Sequence, residues 1–171
     1  ITVVANGIDH AMFRPGDADA ARLELARRYG IDRPFLVYVA RLEHPSKNHV
    51  GLLEGYRIAR KSLEADGLEV PDLVFVGGEW HGSEEIRSAA ADLADAGFVH
   101  LVGRVAGEDI PLFFQGCLAS VYPSLFEGFG LPVLEAMACG APVACSSGSS
   151  LGEVADGRAL AFDPESPGEI A

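Results

Sequence analysis

A chain of 171 residues, with abundant aliphatic side chains and interspersed charge, has the size and composition of one globular domain with a sizeable core. Its formal net charge of −12 argues against nucleic acid or an anionic membrane surface as the main partner, but leaves room for a small anion met by a local cluster of donors. No apolar run reaches the roughly 18 residues of a membrane span, and the sequence opens without a signal-peptide pattern.

The first expected strand is Thr2–Ala5. A helix pattern over Ala18–Tyr29 follows, closed by Gly30. Strands are expected at Phe35–Ala40, Leu73–Val76, His100–Val102, Leu118–Tyr122 and Pro142–Cys145, short runs rich in Val, Leu and Phe, as strands buried on both faces are. Helix patterns lie between them at Asn48–Ala65, Ser83–Ala96 with Ser83 as cap, Glu108–Gln115 and Leu131–Cys139. A short helical turn is expected at Leu151–Ala155. The chain stops as Ser166, Pro167 and Glu169 begin to read as a capped helix, so the sequence reads as a piece of a longer protein.

This alternation predicts an α/β fold, a parallel sheet with helices on both faces. Right-handed crossovers put the strand C-terminal ends on one edge, where open α/β sheets bind ligands. The loops expected there read RLEHPSK, GGEWHG, GRVAGED, PSLFEGFG and SSGSS. The three cysteines, Cys117, Cys139 and Cys145, form no CxxC pair and lie in or beside apolar runs. They read as buried free thiols of a reducing compartment.

The stretch PSLFEGFGLPVLEAMACGAPV, Pro123 to Val143, carries the chemistry. Glu127 and Glu135 flank a glycine-rich bend that runs into an apolar helix. A helix N-terminus offers unpaired N–H groups and a partial positive charge, which suits phosphate. Phe129, Gly130, Leu131 and Val133 can each offer an N–H. A carboxylate accepts two hydrogen bonds at once, which suits a vicinal diol. Two glutamates around an anion-binding bend therefore describe a ligand with hydroxyls at both ends and phosphate between, the shape of a nucleotide sugar. Arg41, just after a strand, and Lys47, at the next helix start, supply the cations. Plainer readings compete: Glu135 favours the helix dipole by itself, Lys47 is solvated, and Arg41 pairs with Glu43 or another surface acid. Convergence on one edge favours the ligand reading.

The segments VANGIDHAMFRP, ARLEHPSKN, FVGG, YPSLFEGFGLPVLEAMACGAPV and LAFDP together resemble the nucleotide-sugar-binding, C-terminal half of retaining glycosyltransferases of family 4, glycosyl transferases group 1. The resemblance runs from about Val3 to Pro164. It implies one Rossmann-like half of a GT-B architecture, with residues 1–171 forming a single donor-nucleotide-binding domain. It implies that Arg41 and Lys47 hold the donor phosphates and that Glu127 contacts the donor sugar. Phe129, Gly130 and Leu131 would offer amides, and Glu135 would hold the ribose. Gly103, Arg104 and Val105 would read the base, and Gly78 would leave room for the donor. The implied activity is retaining transfer of a hexose from a UDP-, GDP- or ADP-linked donor to a hydroxyl acceptor, with no cofactor and no metal. The implied location is cytoplasmic, with the membrane face reached only through the missing N-terminal half. This piece alone would bind nucleotide weakly and not turn over. The chain departs from the family in a longer Arg41–Lys47 spacing than is often seen, and in Gly152 where many members have proline.

Asp17–Asp19 mimics a metal-binding DxD, but its place before a helix reads as N-capping. His44, His49 and His81 read as loop polar groups, and Trp80 as either cover for the donor or packing. A dinucleotide oxidoreductase lacks support because GFGLPV has no third glycine, and no P-loop lysine follows a glycine. A GT-B epimerase or phosphorylase and a non-catalytic binding module stay open.

Overall fold

The computed structural model describes residues 6–171; the strand expected at Thr2–Ala5 lies outside them. Six parallel strands form one sheet: β1 (Phe35–Val39), β2 (Asp72–Val76), β3 (Val99–Gly103), β4 (Ala119–Tyr122), β5 (Val143–Ser146) and β6 (Leu160–Phe162), in the order β3-β2-β1-β4-β5-β6. The α/β reading, with helices on both faces, holds.

The central strands form where they do because every residue finds apolar cover. All five residues of β2 are buried, and Val37, Tyr38, Leu73, Val74 and Phe75 are fully out of water. Burying each large apolar side chain is worth roughly 1.5–3 kcal/mol. β6 escaped the sequence reading. It is three residues long, it carries an exposed Leu160, and it joins the sheet through backbone pairing of Ala144, Cys145 and Ser146 with Leu160, Ala161 and Phe162.

The helices are α1 (Ala18–Tyr29), α2 (His49–Ala65), α3 (Ser83–Asp95), α4 (Ile110–Gly116, entered by a 3-10 turn at Gly107–Asp109), α5 (Leu131–Ala138), α6 (Ser149–Ala155) and α7 (Pro167–Ile170). α2, α3 and α7 pack as one group, and α1, α4, α5 and α6 as another. Asp17 caps α1, its Oδ1 accepting from the N–H of Asp19 at 3.0 Å and of Ala20 at 3.1 Å, so this DxD sequence is a helix cap as expected.

Three local expectations are corrected. Ser83 does not cap α3: it is the first helical residue, and Gly82, at φ 77°, makes the turn with no side-chain cap. The box at α7 does not close either, because Glu169 accepts from the Asp163 N–H at 2.9 Å and Ser166 makes no side-chain cap. His49 is not a loop polar group. It opens α2, fully buried, with its ring 4.7 Å from that of Tyr38 and 5.1 Å from that of Phe75. Burial pushes its pKa down to about 3, so it is a neutral aromatic of the core. His44 and His81 stay in loops. The three cysteines are free and buried, and burial pushes the Cys117 thiol up to about 12.

The strand order reverses at β1. From it the chain steps outward to β2 and β3, then returns to lay β4 on the other side of β1. The C-terminal ends of β1 and β4 therefore diverge, and their loops leave a crevice between them.

Candidate functional site

A cavity of about 340 Å³ opens at that switch point, lined from the β1 side by Val39, Ala40, Arg41 and Lys47, and from the β4 side by Tyr122, Glu127 and Phe129–Pro132. A second one, of about 290 Å³, lies on the other flank of β1, with Gly77, Arg104, Val105 and Ile110 in its wall, and it shares Val39, Ala40 and Arg41 with the first. The two together form a crevice that runs across the ends of β4, β1 and β2 with Arg41 in the middle. Volumes near 300 Å³ are at the lower end for small-molecule sites.

Lys47 and Glu127, 80 residues apart in sequence, meet here: Lys47 Nζ donates to Glu127 Oε1 at 2.7 Å. Both side chains are only 18% exposed, so Lys47 is not the solvated side chain of the plainer reading. The same Oε1 accepts from Ser124 Oγ at 2.8 Å, and Ser124 Oγ is 2.8 Å from the hydroxyl of Tyr38, which donates to the Lys47 carbonyl at 2.9 Å. These contacts set acid and base against the end of β1. Ser150 Oγ, reaching from α6, donates to the Glu127 carbonyl at 2.9 Å and pins the loop from behind. Both side-chain bonds of Glu127 to the described residues fall on Oε1, so among them its second oxygen is an unused acceptor.

The bend itself is built for close approach. Gly130 precedes α5 at φ 94°, a left-handed conformation that L side chains rarely adopt, and a Cβ there would come within 2.5 Å of Leu151 Cδ2. Among the described residues, the N–H groups of Phe129, Gly130 and Leu131 donate to no protein acceptor. Val133 is a correction, because its N–H is already spent on the Gly130 carbonyl at 3.1 Å. The free amides are the three before Pro132, at the positive end of the helix. Tyr122 donates its hydroxyl to the Pro132 carbonyl at 3.1 Å and seats the first turn against β4.

Glu135 sits half-buried in α5 with no ion pair or hydrogen bond among the described residues. Burial raises its pKa. A carboxylate held this way gains from any ligand hydroxyl that donates to it. It is not in the wall of the 340 Å³ cavity.

Arg41 pairs with Glu43, Nη2 to Oε2 at 2.9 Å, as the plainer reading had it, yet it also lines both cavities. Trp80 is 58% exposed and presents its ring to the Arg41 guanidinium, so it is not a packing residue of the core. Arg104 and Val105 wall the second cavity, whereas Gly103 ends β3, with its carbonyl taking the Gly77 N–H at 2.9 Å. Gly78 lines neither cavity, and a Cβ on it would meet only Arg104, at 3.9 Å. The glycine this backbone requires is Gly77, where a Cβ would stand 2.0 Å from the Ala40 carbonyl oxygen. Sequence reading missed Gly77, Tyr38, Ser124 and Ser150. Ser124, three residues before Glu127 at the end of a strand, carried the one usable signal; nothing in the sequence marks a tyrosine inside a strand as a support for a loop.

The glycosyl transferases group 1 family matches residues 22–171. The chain belongs to that family. An O-antigen chain mannosyltransferase B of Escherichia coli is 35% identical over 130 residues, 76% of this chain and 33% of that protein. A D-inositol 3-phosphate glycosyltransferase of Acidothermus cellulolyticus is 34% identical over 182 residues, covering all of this chain and 39% of that protein. This member of the family therefore spans a third to two fifths of the length of these relatives. Among solved structures, Anabaena HepE in complex with UDP and glucose superposes with a TM-score of 0.79 at 23% identity, over 99% of this chain and 45% of that one. The C-terminal domain of a glycosyl transferase group 1 protein of Francisella tularensis superposes at 0.74 and 21% identity, over 96% of this chain and 84% of that one. The fold is the Rossmann-like half of a GT-B architecture expected from the sequence.

Proposed function

We propose that this chain is the donor-binding part of a metal-independent, retaining hexosyltransferase that uses a nucleotide-diphosphate sugar. The observation that carries the reading is the crevice at the β1/β4 switch point, where a cation–carboxylate pair and three unspent amides face one cavity. Opposed groups of this kind suit a ligand that is anionic in the middle and hydroxylated at its ends.

In this reading the amides of Phe129, Gly130 and Leu131, with Arg41 and Lys47, take the diphosphate and stabilise the charge that grows on the departing nucleotide. Glu127, oriented through Oε1 by Lys47 and Ser124, gives its other oxygen to the donor sugar. Glu135 accepts from the ribose diol. Arg104 and Val105 bound the flank where the base lies. Lys47 is paired with Glu127 and Arg41 with Glu43, so the phosphates compete with Glu43 for Arg41 and gain from the helix terminus. The acceptor hydroxyl would be supplied across the crevice by an N-terminal half of the same protein, without which the chain binds but does not turn over. HepE was solved with UDP and glucose, and two relatives are a mannosyltransferase and an inositol phosphate glycosyltransferase by name. Each is consistent with a sugar-nucleotide donor.

A thermal-shift panel of UDP, GDP, ADP and their sugar conjugates, run beside NAD and repeated in EDTA, tests the reading. A diphosphate at a hundred times its Kd adds about 2.7 kcal/mol, which moves the midpoint of a domain this size by several degrees. Stabilisation by NAD with none by the diphosphates overturns it, and loss of the shift in EDTA overturns metal independence.

A further inference from the structure

We infer that Trp80 is a positioning residue for donor binding: its ring holds the Arg41 guanidinium over the crevice without using any of that group's hydrogen bonds. This rests on the donor-site reading above.

Arg41 is a long side chain, 55% exposed, in the stretch Val39–Arg41 that both cavities share. Left free, it would lose rotamer entropy each time it met a phosphate. Two contacts hold it instead. Glu43 takes Nη2 at 2.9 Å, and is itself fixed by Ser46 Oγ, which donates to its Oε1 at 2.7 Å. The Trp80 ring lies under the guanidinium, 4.8 Å from Cζ to the ring centroid. The two contacts differ in kind. Glu43 occupies the edge of the guanidinium, which is the part a phosphate needs, so an incoming diphosphate competes with it. The indole meets the cation through its own π face and accepts no conventional hydrogen bond from it, so the N–H donors that Glu43 does not hold stay open. Trp80 can therefore stay in place while the ligand displaces Glu43.

The indole is a stiff platform because its loop is zipped to the loop that carries Arg41. Leu42 donates to the Gly78 carbonyl at 3.0 Å, Trp80 donates to the Leu42 carbonyl at 3.1 Å, and His44 donates to the His81 carbonyl at 3.0 Å. Leu42 and Glu79 form a parallel bridge, and the Glu79 carboxylate is tied to Arg87 of α3. Gly82, where a Cβ would come 2.8 Å from His44 Cβ, lets the two loops close on one another. A large aromatic ring 58% exposed to water is costly to display. The cation above it accounts for its place.

Trp80 is the single tryptophan of the chain, so the platform carries its own probe. The experiment titrates UDP and GDP into wild type, W80F, W80A, R41A and the double variant W80A/R41A. Affinity is read by calorimetry, indole emission is followed where Trp80 is present, and circular dichroism confirms folding. W80A is expected to weaken diphosphate binding about two- to fivefold, W80F to restore most of it, and the double variant to bind no worse than R41A. Indole emission is expected to change on binding in wild type and to stop changing in R41A. Wild-type affinity in W80A, or losses that simply add in the double variant, would overturn the inference while leaving the donor site standing. Absence of diphosphate binding in wild type removes the donor-site reading, and this one with it.

Discussion

The two ends of the sheet each hold a carboxylate paired with a cation beside a cavity of similar size, and they differ in the polar groups they leave over. At the N-terminal edge, Asp72 opens β2 with its side chain 2% exposed. His100 Nε2 is 2.8 Å from its Oδ2, and Arg33 Nη1 stands 3.0 Å from its Oδ1, an ion pair outside good hydrogen-bond angle. Arg33 and Arg60 then lie over the Phe98 ring, at 5.1 and 4.0 Å. A cavity of about 320 Å³ adjoins this edge, lined in part by Arg33, Ile31 and Leu118. At the C-terminal edge, Glu127 and Lys47 are paired too, but among the described residues one carboxylate oxygen, three amides and Glu135 remain unspent. Size does not separate the two cavities. What separates them is where the unspent groups lie: Asp72 Oδ1 is buried against Arg33, whereas the C-terminal edge turns its free amides and Glu127 toward a cavity.

Removing the buried carboxylate gives the largest expected effect. Asp72→Ala strips Arg33 and His100 of their shared partner and is expected to cost about 2–3 kcal/mol of stability, somewhat under the range for fully buried pairs because Arg33 and His100 reach solvent. Denaturant titration measures it, and diphosphate affinity of the folded fraction should stay within about twofold. A large loss of affinity at constant stability would erase the contrast between the ends.

Lys47→Ala is the mirror image. Loss of a charge-assisted contact is expected to weaken diphosphate binding about tenfold, with a stability loss near 1 kcal/mol as Glu127 keeps only Ser124. Calorimetry and a melt on the same sample separate the two numbers.

Glu135→Gln tests the C-terminal edge through pH. Burial holds the folded pKa above the ordinary 4.5. The stability this group contributes is therefore complete below that ordinary value and is lost as pH rises through the raised one. The variant is expected to melt about 1–2 °C above wild type at pH 7, a modest gain because the carboxyl is still half solvated. The gain should vanish near pH 4, while diphosphate affinity at pH 7 falls. A variant that gains no stability at neutral pH would mean that Glu135 is already satisfied.

Ser150→Ala is the smallest. Loss of the bond to the Glu127 carbonyl is expected to cost about 0.5–1 kcal/mol and to loosen the bend enough for a measurable fall in affinity, read by the same titrations.

Much of this was legible beforehand. Buried parallel strands advertise themselves, since Phe35–Val39 and Leu73–Val76 leave no face for polar residues, and Gly30 after an Ala- and Arg-rich run marks a helix end. PSLFEGFGLPV could be read as strand, bend and helix because glycine and proline act locally. The failures share one cause. β6 is held by pairing with β5, His49 is buried by Tyr38 and Phe75, and Ser83 lost its cap to Gly82, whose turn closes the loop against His44. In each case a neighbour distant in sequence overrode the local preference.

The sequence by itself determined the kinds of elements, their order and the chemistry of the residues at the binding edge, because these follow from backbone preferences and from the apolar pattern along the chain. Which of those residues spend their hydrogen bonds on each other was settled by packing: Lys47 on Glu127 and Arg41 on Glu43, with the Trp80 ring against the Arg41 guanidinium. Distances between atoms 40 or 80 residues apart exist only once the sheet has formed, and a few tenths of an ångström decide whether a donor is used or free.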